Sequence, residues 1–101
     1  MKQVFEVEGR YLGHEWVATD RTFDVRSPAG GAVIARAADC GAAEAAEAVV
    51  VSERAFADWR ATTAFARSAL LERWADLILE HQAALAELMS AEMGKPIRES
   101  R

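Results

Sequence analysis

The stretch from Ala64 to Met93 constrains this chain more than any other part of it. Leu70, Leu71, Trp74, Leu77, Ile78, His81, Leu85, Leu88, Met89 and Glu92 recur at the three- and four-residue intervals that place side chains on one stripe of a helix. Thr62-Thr63 offers an N-cap. The far end carries a stop signal: Gly94 suits the left-handed residue after a helix, Lys95 can meet the terminal carbonyls, and Pro96 prevents continuation. Unbroken, such a helix would run about 45 Å at 1.5 Å per residue. A chain of 101 residues makes one small domain and cannot cover a rod of that length. A break is therefore expected near His81-Gln82. Ile97 to Arg101 begin an element that the chain does not finish.

A second helix is expected from Ala42 to Trp59. Ala45, Ala48, Val49, Ser52, Ala55, Phe56 and Trp59 share one face, and Glu44 and Glu47 sit where negative charge suits the helix dipole. Asp39 or Gly41 is its N-cap. Ahead of it lie two hairpin signals. In Tyr11-Leu12-Gly13-His14-Glu15-Trp16-Val17 two apolar runs flank Gly13-His14, which predicts a type II′ turn. Phe23 to Ser27 alternate as a half-buried strand, Pro28-Ala29-Gly30-Gly31 turn the chain, and Ala32 to Arg36 return. A short strand is also expected around Val4 to Val7. The sum is an α+β arrangement, two short β-hairpins over residues 1–37 and two to three helices over residues 42–93.

Composition excludes several functions. Hydrophobic residues form 51% and charged residues 28%, which favours a packed chain over a disordered one. A net charge of −4, with ten arginines and two lysines dispersed, offers no attraction to nucleic acid or anionic lipid. No run approaches the roughly 18 apolar residues of a membrane span, and the N-terminus lacks the apolar core of a signal peptide. The one cysteine, Cys40, cannot close an internal disulfide. A cytoplasmic protein with no nucleic-acid or membrane partner is expected.

The pieces, in order, resemble the opening of an aldehyde dehydrogenase. Tyr11 to Val17 is similar to the family's (Y/F)IxGEWV hairpin, and Val25 to Ile34 to VxNPATGEVI. Phe56-Ala57-Asp58-Trp59-Arg60 is similar to AFxxWR. Arg67, Leu70-Leu71 and Ala75-Asp76-Leu77-Ile78 follow RxxLLxxxADLI, and Glu92-Met93-Gly94-Lys95-Pro96 follows ExGKP. Ser27, Gly30 and His14 depart from the family pattern, all within turns. Glu80-His81-Gln82 and Leu85 to Met89 are most similar to the succinate-semialdehyde dehydrogenase branch.

The resemblance implies that residues 1–101 are the N-terminal portion of the cofactor-binding domain of an α/β Rossmann-like fold, with the catalytic and oligomerisation domains absent. It implies oxidation of an aldehyde to a carboxylate with NAD or NADP in the complete enzyme, and a homo-oligomer. A cysteine thiolate attacks the carbonyl, hydride passes to the nicotinamide, and the thioester is hydrolysed with help from a glutamate. In the family these groups lie downstream of ExGKP. No catalytic, cofactor-binding or metal role is therefore assigned to any residue here, and this segment alone is expected to bind no cofactor and to be inactive. The alternative is a free-standing helical module that associates with a dehydrogenase subunit through its stripe.

Several residues invite a functional reading and are better explained structurally. Cys40 precedes a helix N-terminus, yet no His or Lys stands near it in sequence, so an inert or merely oxidisable thiol is expected. Gly30-Gly31 lie in a turn without GxGxxG or GxxxxGK[ST] spacing. Gly94-Lys95-Pro96 end a helix, so no amide cradle faces a phosphate. His14 and His81 lack a second ligand at helical spacing, and His81 is expected to pack where the stripe bends. Trp16, Trp59 and Trp74 are expected in the core. Glu92, a carboxylate on an apolar stripe, needs a partner.

Overall fold

Each hairpin is set by its turn. The computed structural model describes residues 9–101, so the strand expected around Val4 to Val7 lies outside the described residues. Strand β1 (Arg10–Leu12) pairs antiparallel with β2 (Glu15–Val17), and Leu12 faces Glu15 across a two-residue loop. Gly13 and His14 both have positive φ, 56° and 71°. The turn is therefore type I′, not the expected II′, because II′ needs positive φ at its first central residue only. Histidine is among the residues that reach this region more readily than most. The second hairpin joins β3 (Thr22–Arg26) to β4 (Val33–Ala38), with a bulge where Val25 pairs Ala35 but Arg26 pairs Val33. The Ser27 N–H donates to the Ala32 carbonyl at 2.8 Å and the Gly31 N–H to the Ser27 carbonyl at 2.8 Å. That closes the Pro28–Gly31 turn at the place its residues predict.

Helix α1 spans Ala42–Arg60, α2 Ala64–Glu80, α3 Gln82–Met93 and α4 Ile97–Ser100. Between α1 and α2 the chain turns within three residues. Thr63 is the N-cap of α2, its hydroxyl accepting from the Ala66 N–H at 3.1 Å. The Thr62 hydroxyl donates to the Trp59 carbonyl at 2.6 Å, and Arg67 Nη1 donates to the Thr62 carbonyl at 2.6 Å. The arginine of the RxxLL segment thus holds a corner by satisfying a carbonyl that the helices leave free. Thr63→Ala should cost about 1 kcal/mol, the usual value of a lost cap. Urea melts followed by far-UV circular dichroism would read it, and an unchanged midpoint would mean that the cap contributes nothing here.

The expected break falls at His81, with φ −102° and ψ 14° between α2 and α3. The helical ladder bends there without being severed. The His81 N–H still donates to the Leu77 carbonyl at 3.1 Å, and the Leu85 N–H to the His81 carbonyl at 3.0 Å. Residue His81 is exposed at this bend, not packed as expected. Gly94 ends α3 at φ 78°, its N–H donating to the Ser90 carbonyl at 2.8 Å. After Pro96 the chain forms the single turn α4. It folds back on α3, and the hydroxyls of Ser90 and Ser100 lie 2.8 Å apart.

These elements do not enclose a core. Ala86 in α3, 1% exposed, is the sole buried hydrophobic residue among the described residues. The radius of gyration is 16.7 Å, against about 13 Å for a compact chain of this length. Along α2 the broad stripe faces solvent: Leu70 is 58% exposed, Trp74 63% and Ile78 is also exposed. Trp16, Trp59 and Trp74, expected in the core, are all exposed. Their periodicity marks surfaces meant for burial, but no described element covers them. Leu85 and Leu88 are partly covered, so the open stripe belongs to α2 more than to α3. Glu92 is exposed as well; water solvates its carboxylate and the partner expected for it is not required. Phe65, 86% exposed, lies on the opposite side of α2 from Trp74, since nine residues rotate a helix by about two and a half turns. Among the described residues no helix is long and apolar enough to cross a membrane.

Candidate functional site

The charged junction between the hairpins and α1 is where the chain brings most chemistry together. Each hairpin sends one arginine to the first half of the helix. Arg10, on β1, donates through Nη2 to Glu47 Oε2 at 2.8 Å, and Arg21, just ahead of β3, lies 3.5 Å from Glu44. Glu44 Oε2 also accepts from the Gly41 N–H at 3.0 Å. Gly41 is the N-cap, and having no side chain it cannot supply the accepting half of a capping box; only the half in which Glu44 reaches back to the Gly41 N–H is formed. The Asp39 N–H donates to the Arg21 carbonyl at 2.9 Å, closing the open end of the second hairpin beside this cluster. Arg10, Thr19, Asp20, Arg21 and Glu44 line a polar cleft of about 210 Å³.

Glu44 is held below its ordinary value of 4.5, first by backbone hydrogen bonds and then by the charges of Arg21 and Arg10. Arg10 is raised, chiefly by its hydrogen bond to Glu47. Because the folded value of Glu44 is depressed, its stabilisation of α1 is complete above the unfolded value and is lost as pH falls through the folded one. Acid should therefore fray the start of α1 at a pH below 4.5, and Glu44→Gln should remove that pH dependence. Amide exchange at the first turn of α1, measured across acid pH in both proteins, checks this. Equal acid sensitivity in the variant would exclude Glu44 as the cause.

This cluster ties the two hairpins to the start of α1. Both glutamates accept from guanidinium or amide donors of the same cluster. Cys40 is a free, exposed thiol immediately before the N-cap. Among the described residues no three His, Cys, Asp or Glu groups are placed to hold a metal ion. Gly30-Gly31 sit in the turn of the second hairpin, between β3 and β4.

The helix face that the hairpins cover differs from the expected one. Glu44, Ala48 and Val51 are the partly covered residues of α1, and the Gly13 turn approaches Val51. This side lies about a quarter-turn from Ala45, Val49, Ser52, Phe56 and Trp59. Val49, Phe56 and Trp59 remain exposed. Alanine and valine populate several sides of this helix, so periodicity left the face underdetermined. The Arg10–Glu47 and Arg21–Glu44 pairs select it. Phe56, Trp59, Ser52 and Thr62 instead line an open, largely apolar groove of about 610 Å³ beside His14. The rings of Tyr11 and Trp16 pack against each other across the first hairpin, 5.2 Å apart and tilted by 57°.

The model of the aldehyde dehydrogenase family matches residues 16–101. That span takes in four of the five sequence segments whole, and only Trp16-Val17 of the first. Mitochondrial succinate-semialdehyde dehydrogenase of Homo sapiens is 40% identical over 90 residues, covering 89% of this chain and 17% of that protein. The 3-sulfolactaldehyde dehydrogenase of Pseudomonas putida is 48% identical over 87 residues, covering 84% of this chain and 18% of that one. The crystal structure of an NADP-dependent enzyme of E. coli superposes with a TM-score of 0.90 at 35% identity, over 94% of this chain and 20% of its own. The chain spans about a fifth of the length of these relatives.

Proposed function

This chain belongs to the aldehyde dehydrogenase family, and we propose that it serves as the opening segment of an enzyme that oxidises an aldehyde to a carboxylate with NAD or NADP. The observation that carries this reading is the unburied apolar stripe of α2, with Leu70, Trp74 and Ile78 exposed, in a chain a fifth as long as its relatives. A monomer rarely leaves such a patch open, and the remaining four-fifths of the fold would cover it. The segment's part is positional. It forms the N-terminal portion of the cofactor-binding domain, while the nucleophile, the glutamate and the cofactor contacts belong to downstream residues.

Succinate semialdehyde is the first substrate to test. The names of the human and Pseudomonas relatives both denote small aldehydes with an anionic far end. The complete enzyme is proposed to be a cytoplasmic homo-oligomer, consistent with a lone, unpaired Cys40. An organelle is the competing location, because the human relative is mitochondrial.

The test is to isolate the native species with an antibody raised against residues 1–101. Its subunit mass under denaturing conditions should be roughly five times the 11.0 kDa of this chain, and it should reduce NAD or NADP when given succinate semialdehyde. A native species of 11.0 kDa without such turnover would overturn the proposal. It would favour the interaction module, with a dehydrogenase subunit as its partner.

A further inference from the structure

We draw no further inference here: the strongest candidate, the unpartnered apolar face of α2 carrying Leu70, Trp74 and Ile78, carries nothing beyond the proposed function because nothing in the structure shows which surface covers it.

Discussion

Purified as 101 residues, the chain should associate with itself in a concentration-dependent way and should show no NAD(P)-dependent aldehyde oxidation. The reason is the surface it leaves open. Its accessible area is 8067 Å², whereas a folded monomer of 11.0 kDa exposes about 5,600 Å². Leu70, Leu71, Trp74, Leu77 and Ile78 form one continuous exposed stripe, and each large apolar side chain gains about 1.5–3 kcal/mol on full burial. Even partial burial of several such residues exceeds the cost of a weak encounter. Replacing Leu70 and Trp74 together by lysine should weaken association at least about tenfold, the factor that 1.4 kcal/mol represents. Helix content should hold, because both side chains already face water. Sedimentation velocity over a hundredfold dilution, with circular dichroism as the control, separates the two effects. A wild-type chain that sediments as an 11.0 kDa monomer throughout would show that the stripe is not sticky.

The second large effect is expected at Gly94. Its φ of 78° lies in the left-handed region, and a Cβ built there would stand 2.9 Å from Cγ of Pro28. A side chain at this position therefore meets two penalties. The backbone conformation costs about 1–2 kcal/mol for an ordinary L-residue, and more for a β-branched one. The close approach to Pro28 adds to it, since the turn of the second hairpin must move away from the end of α3. Gly94→Val should destabilise the α3–α4 corner by about 2–4 kcal/mol, the range typical of a forced special backbone position. Gly94→Asn, which tolerates the left-handed region, should cost less. Combining it with Pro28→Ala should restore part of the loss and so isolate the steric share. Amide exchange at Ser90 to Gly94 would report the change. Undiminished protection in Gly94→Val would mean that neither the angle nor the Pro28 contact constrains the corner.

Local chemistry was readable wherever one or two residues decide the outcome. Thr63 caps α2, Gly94 stops α3, and Pro28 to Gly31 turn the second hairpin, each because a hydroxyl, an absent Cβ or a locked φ acts within a few bonds. The bend at His81 followed from a length argument that needed no coordinates. The order of five short segments pointed to the family, because order survives when composition and periodicity do not discriminate. The candidate site was less legible. Arg10 and Glu47 meet across 37 positions and Arg21 and Glu44 across two elements, and no local pattern announces such a meeting. The type I′ turn was missed because His14 enters the left-handed region in place of an asparagine or glycine.

By itself, the sequence determined, among the described residues, the two hairpins and the main helices, the cap of α2 and the stop of α3, and which family the chain resembles. All of these depend on neighbours along the chain. Tertiary structure alone decided which side of α1 receives the hairpins and which apolar residues become buried. Periodicity nominates a face for burial without naming what buries it. For Trp16, Trp59 and Trp74 no covering surface stands among the described residues, so side chains with the signature of a core remain exposed. Burial belongs to pairs of surfaces, and a sequence describes them one at a time.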